Sequence, residues 1–223
     1  MHQAVSAFLL AFPALFSIIN PLGGAIIFYE VAGNVDVSQR HRLAKRVALY
    51  SFFVMVSALL AGTYILNFFG ISMNALRIAG GLVVSVRAYE MLNAPESGTK
   101  RKQKDAEAVA AAADQDLASY AFFPLTLPFT TGPGTIAVTI SLATGRPDGW
   151  AQAWIFYAAD ALAVLANALV IWICYSASDR MVRILGQSGQ IIVSRMVAFL
   201  LLGIGVQIAI TGLNPILHDA FVR

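Results

Sequence analysis

The chain has 223 residues, of which 58% are hydrophobic and 12% charged, about half the charge of an ordinary soluble domain. A water-borne surface of this size needs more charge, so the composition excludes a soluble globule and indicates one compact domain in lipid. The net charge of +3 does not indicate a nucleic-acid partner, because the basic residues cluster in short segments between apolar runs. The single cysteine, Cys174, excludes an intrachain disulfide framework or cysteine metal site and reads as a small buried hydrophobe.

A bilayer core of about 30 Å needs about 20 helical residues. Six runs reach that size: Val5 to Tyr29, Val47 to Phe69, Met73 to Leu92, Ala118 to Ala143, Trp150 to Ser176, and Ile191 to Leu213. The first opens with His2 rather than a Lys/Arg cluster and outruns a signal-peptide core, so it is expected to be retained and spanning. It carries Phe12-Pro13 and then Asn20-Pro21-Leu22-Gly23-Gly24. Proline removes a helical hydrogen bond and glycine lets the backbone unwind, so this span is expected to break near the midplane. Asn20 would cap a new half-helix that starts at Pro21.

The connection to the second span holds Arg40, Arg42, Lys45 and Arg46. In the third span, Arg77 and Arg87 leave a short uncharged centre around Gly80-Gly81, a pair suited to close helix packing. The stretch from Asn93 to Leu117 holds Pro95, Gly98, a basic cluster and an Ala-rich acidic run, and reads as a cytoplasmic tether, partly helical. The fourth span repeats the features of the first: Phe123-Pro124, Pro128, then Thr131-Gly132-Pro133-Gly134-Thr135. The fifth begins with Trp150 and Trp154, as in an interfacial aromatic belt. Asp160, ten residues along it, lies about 15 Å down the helix, near the bilayer centre. Asn167 follows on nearly the same face. Before the sixth span, Gly186-Gln187-Ser188 precedes Arg195 as Gly70-Ile71-Ser72 precedes Arg77. Gly203-x-Gly205 within it is another packing surface.

Ten of the Lys and Arg residues fall on one side of this arrangement, with only Arg146 and Arg223 opposite. The positive-inside rule then puts both termini outside. The expected fold is an all-α membrane protein of six transmembrane helices, a 3+3 inverted-topology repeat with broken first and fourth helices. Its parts are residues 1–92, a linker at 93–117, and residues 118–223.

Non-helical backbone in lipid must be buried in protein or line a cavity. The amides of Gly23, Gly24, Gly134 and Thr135 would then aim the positive ends of two half-helices at a carboxylate. Asn20, Pro21, Gly23, Gly24, Thr131, Gly132, Pro133, Gly134 and Thr135 are the candidate solute-binding residues. The alternative is a pair of kinks that only shape packing. Asp160 is either a proton, Na⁺ or ammonium site, or a structural partner of Arg77 or Arg195, or a carboxyl held protonated. Those two arginines are snorkelling anchors or, with Asp160 and Asn167, a polar lining. His2, His41 and His218 are far apart, and no metalloprotease, nucleophile-elbow or phosphate-loop motif occurs. No enzyme, metal site or cofactor is expected beyond a coupling proton or Na⁺.

Ile19-Asn20-Pro21-Leu22-Gly23, Phe69-Gly70-Ile71-Ser72, Arg77-Ile78-Ala79-Gly80-Gly81, Phe123-Pro124-Leu125-Thr126-Leu127-Pro128 and Gly132-Pro133-Gly134-Thr135-Ile136 together resemble the MarC family of bacterial membrane proteins over nearly the whole chain. The resemblance implies a six-helix inner-membrane protein, grouped with the amino-acid exporters that include lysine exporters, some members being described as small neutral amino-acid transporters. The family motif carries over to Asn20, Pro21, Gly23, Gly132, Pro133 and Gly134. It assigns no role to Asp160, and relatives often differ at Gly24. The expectation is a secondary transporter of alanine or glycine in the bacterial inner membrane. It would be multi-pass with both termini periplasmic, its partners being the solute and the bilayer, with a homo-oligomer left open. A non-transporting regulatory or interaction subunit and an ion channel are the alternatives.

Overall fold

The computed structural model describes residues 2–32, 35–93, 117–143 and 150–221. The tether expected at 93–117 lies almost wholly outside the described residues. Among the described residues the regular elements are all helical: α1 (His2–Ile19), α2 (Pro21–Ala32), α3 (Val37–Phe68), α4 (Met73–Leu92), α5 (Leu117–Tyr120), a π-wound α6 (Ala121–Thr130), α7 (Pro133–Ala143), α8 (Trp150–Ser176) and α9 (Ser178–Phe221).

Four stretches are long and apolar enough to cross a membrane: Ala4–Tyr29, Val37–Phe68, Gln152–Ser176 and Ile191–His218. They correspond to the first, second, fifth and sixth expected spans. The third forms a helix with the expected bounds, α4, but Arg77, Arg87 and Glu90 all fall within its 20 residues. The fourth is divided between α6 and the short apolar α7.

α3 starts ten residues earlier than the expected Val47, at Val37. The Asp36 carboxylate accepts from the Ser38 amide at 3.1 Å and the Ser38 hydroxyl at 2.6 Å, capping the helix. Arg40, Arg42, Lys45 and Arg46, expected in a connecting loop, therefore stand on the first turns of α3. Arg40 is buried, bonds Asp179 at 2.6 Å, and lies 5.3 Å from the Tyr29 ring centre. That pair ties the start of α3 to the start of α9 and to the end of α2.

Gly70 and Gly186 both take left-handed backbone, φ 65° and 63°. At Gly70 the Ile71 amide reaches back to Leu66 O at 2.9 Å, closing α3 with a glycine at the left-handed position. Gly186 breaks α9 with φ 63° and ψ 179°. Beyond these turns α4 lies along α9 at backbone contact. A Cβ on Gly81 would stand 2.5 Å from Gly205 O and 2.6 Å from Ala209 N, and one on Gly212 would stand 2.7 Å from Asn74 O. Of the other two glycines expected to allow close helix packing, one does so against a different helix and one does not. Gly80 faces Ala137 and Pro133 O of α7, and a Cβ on Gly203 would meet nothing within 4 Å.

The core lies between α1, α2, α3 and α8, around Leu15, Phe28, Leu43, Val47, Met55, Val164, Ile171 and Tyr175. Outward residues such as Leu10, Phe53, Tyr64, Ile173 and Phe199 are exposed and apolar, as a lipid-facing surface requires.

Two outcomes follow. The Ser38 hydrogen bonds hold the Asp36 carboxyl below its ordinary range. The cap is thus fully present above the unfolded carboxylate pKa of about 4 and is lost as pH falls through the lower folded value. At neutral pH, Asp36→Ala should speed amide hydrogen exchange at Ser38 and Gln39, and Asp36→Asn should restore most of the protection. Gly81→Ala should destabilise by about 1–3 kcal/mol through overpacking against backbone. Gly203→Ala, with open space around it, should be neutral or gain up to about 1 kcal/mol from helix propensity; thermal melts in detergent compare the two.

Candidate functional site

The first break is built around one residue. The Asn20 amide donates to Phe16 O at 2.9 Å, closing α1, and Asn20 then takes φ 46°, a left-handed conformation that asparagine tolerates better than most residues. Its carbonyl accepts from Gly24 N at 2.9 Å and its Oδ1 from Gly23 N at 3.3 Å, opening α2 at Pro21. The Gly23 and Gly24 amides, expected to point freely at a solute, are therefore occupied by Asn20 itself. Pro21 has no N–H, so the Ser17 carbonyl loses the amide it would meet in a continuous helix.

The second break is longer. Phe123 (φ −129°, ψ 122°) and Leu127 (φ −112°, ψ 125°) are extended, each because a proline follows it. Extended residues shift the ladder to π winding, with the Thr131 amide on Thr126 O at 2.9 Å, and threonine hydroxyls bond carbonyls of the segment as well. Thr126 Oγ1 donates to Ala121 O at 2.7 Å, Thr130 Oγ1 to Leu125 O at 2.7 Å, and Thr131 Oγ1 to Thr126 O at 3.2 Å. Gly132 O then accepts from Ile136 N at 3.1 Å, and Pro133 opens α7 at its first position. The amides of Gly134 and Thr135 precede that bond, in the turn where helical N–H groups lack partners within their own helix.

The two breaks face one another across a cavity of about 110 Å³, room for a solute of a few heavy atoms. Asn20 and Gly24 line it from the first break, and Thr130, Gly132, Pro133, Gly134 and Thr135 from the second. Ile18 and Ile19 of α1, Ile27 of α2, Phe129 of α6, Val83 and Val84 of α4, and Leu201 of α9 complete an apolar wall. A side chain on Gly134 would run into Val84 Cγ2 and stand 3.1 Å from Ile18 Cδ1, so the glycine keeps this space open.

Six of the nine expected solute-binding residues thus line the cavity. Pro21 and Gly23 are buried at the turn, and Thr131 is buried with its hydroxyl turned to Thr126 O. The four residues expected to couple or to extend a polar lining stand elsewhere. Asp160 is 2% exposed in α8, and its Oδ2 has no hydrogen-bond partner. Asn167 donates to Phe12 O at 3.3 Å and Ala163 O at 2.9 Å, leaving Oδ1 unpartnered. Arg77 donates to Ser141 Oγ, tying α4 to α7, and Arg195 is exposed on α9. No ion pair joins Asp160 to either arginine among the described residues.

The sequence reading missed Tyr175 and Thr130. The Tyr175 hydroxyl lies 3.0 Å from Thr130 Oγ1, and its ring stacks on Phe28 with centroids 4.8 Å apart. The available signal was a hydroxyl-bearing ring inside an apolar span, and three threonines spaced among prolines.

The profile described as MarC family integral membrane protein matches residues 5–217. A Salmonella typhimurium protein named inner membrane protein MarC is 36% identical over 97% of this chain and 98% of its own length. Relatives of the same name from Citrobacter koseri and Escherichia coli are 34% and 35% identical, over 97% and 91% of this chain and 98% and 92% of their own. No solved structure matches significantly. With a family match across nearly its whole length, and with four helical stretches suited to lipid, the chain belongs to the MarC family of integral membrane proteins.

Proposed function

We propose that the protein is a secondary transporter of small neutral amino acids of the alanine and glycine class, acting in the bacterial inner membrane. The observation that carries this reading is the shared cavity, in which two interrupted helices meet around a space of about 110 Å³. The Gly134 and Thr135 amides, at the positive end of α7, suit a carboxylate. Thr130 commits its hydroxyl proton to Leu125 O at 2.7 Å, so it offers only a lone pair, which suits an ammonium group. The apolar wall accommodates a short aliphatic side chain and rejects a charged one. One end of the cavity thus favours negative charge and another favours positive charge, which fits a zwitterion of small size.

In this reading α4 and the α6–α7 pair cross the membrane beside the four longer stretches. Each half contributes one broken helix and one left-handed glycine turn, at Gly70 and at Gly186. The halves form an inverted repeat with both termini periplasmic, and access alternates by movement between them. Asp160, buried within α8 with an unpartnered oxygen, is the proposed site of a coupling proton or Na⁺. It acts through α8 rather than by touching the solute. Neither a catalytic role nor a resident cofactor forms part of this reading.

Purified protein in liposomes should exchange labelled alanine or glycine in a saturable way, and Gly134→Val should lower that flux at least tenfold while the protein remains folded. Absence of flux under both proton and Na⁺ gradients would overturn the proposal; undiminished flux in folded Gly134→Val would remove the cavity from it. Asp160→Asn should keep exchange at equal concentrations and lose gradient-driven accumulation. Accumulation at the wild-type level would exclude Asp160 from coupling.

A further inference from the structure

We propose that Tyr175 gates this cavity, with α2 as a flap that swings about Asn20 when the Tyr175 to Thr130 hydrogen bond breaks. The proposal rests on the cavity being the solute site.

Thr130 Oγ1 spends its proton on Leu125 O at 2.7 Å, so at the 3.0 Å contact the phenol must be the donor. On its other side the phenol is pressed against Gly24, where an added Cβ would lie 2.5 Å from the Tyr175 hydroxyl. Gly24 and Thr130 both line the cavity and Tyr175 does not. The hydroxyl therefore sits behind the cavity wall, wedged between a residue of the first break and a residue of the second. One side chain on α8 holds the two interruptions together.

The far end of α2 is buried in the core through Phe28 and Ala32, and two aromatic side chains latch it to its neighbours. Phe28, one turn beyond Gly24, stacks on the Tyr175 ring, and Tyr29 lies beneath the Arg40 guanidinium that is paired with Asp179. The near end is the Asn20 turn, where the ladder from α1 stops and the backbone reverses hand. α2, 12 residues long, thus has a turn of reversed hand at one end and at the other a stack on Tyr175 whose release would let the helix shift as a unit. Releasing the phenol would part Phe28 from α8 and open a route from the cavity toward the Arg40 and Asp179 pair.

The chain carries its own reporter. Cys174 is the single cysteine, is 9% exposed, and shares the buried stripe of α8 with Ile171 and Tyr175. Alkylation by a water-soluble maleimide, on protein in lipid nanodiscs, measures how often that stripe meets water. Tyr175→Phe deletes the hydrogen bond, and Gly24→Ala displaces the phenol from the opposite side without removing it. Both should raise the alkylation rate severalfold with melting temperatures within a few degrees of wild type, and saturating L-alanine should change the wild-type rate. Rates equal to wild type in both variants overturn the gate, as does a rise matched by a large fall in melting temperature. A rise in both variants with no response to alanine, glycine or serine upholds the gate and overturns the amino-acid reading instead.

Discussion

A peptide group within lipid has no water to fall back on, and the whole arrangement depends on how this chain meets that constraint at two places where its helices stop. At the first, Asn20 answers with its own backbone and side chain, closing one helix and capping the next within a single residue. At the second, two prolines force extended residues into the chain, and the hydroxyls of Thr126, Thr130 and Thr131 add donors to carbonyls of the π-wound segment, Thr126 O also taking the Thr131 amide. The interruptions are thereby stable enough to be held inside the protein, and what they leave over faces the cavity. At α7 that remainder is a pair of amides, those of Gly134 and Thr135.

Holding the breaks opposite each other requires neighbours that can come close. α4 passes α9 with glycine against backbone, at Gly81 and Gly205 and again at Gly212. Gly80, on the adjoining face of α4, lets the same helix rest on the first turn of α7. Arg77 then fixes the register by reaching Ser141 further along α7. The wall of the cavity formed by Val83 and Val84 is thus placed by packing on two sides, with van der Waals contact taking the role that a hydrophobic drive has in water.

Much of this was legible in the sequence, for physical reasons. Asn-Pro and Gly-Pro-Gly dictate local backbone whatever surrounds them, so both breaks and the residue that opens each new half-helix could be read directly. The bounds of α4 and α8 were set by clear changes in polarity. The start of α3 was not, because its first three turns are basic and polar and resemble a loop until Arg40 is seen paired with Asp179, 139 positions away. The fate of the Gly23 and Gly24 amides was missed for a related reason: position in a motif shows that an amide is free of the ladder, and only coordinates show what else it finds. Tyr175 was invisible because its meaning lies in Thr130 and Gly24, which belong to two other elements.

The same accounting bears on Asp160. Asp160 Oδ2 and Asn167 Oδ1, both on one face of α8, lack hydrogen-bond partners, as do Arg40 Nε and the buried hydroxyls of Ser51, Ser176 and Ser178. The ion-paired alternative needed an arginine, and Arg77 is engaged with Ser141 instead. Neither protonation state resolves the problem at Oδ2, since an ionised oxygen there lacks a donor and a protonated one lacks an acceptor. A cation taken up at Asp160, as proposed above, would give Oδ2 the partner it lacks.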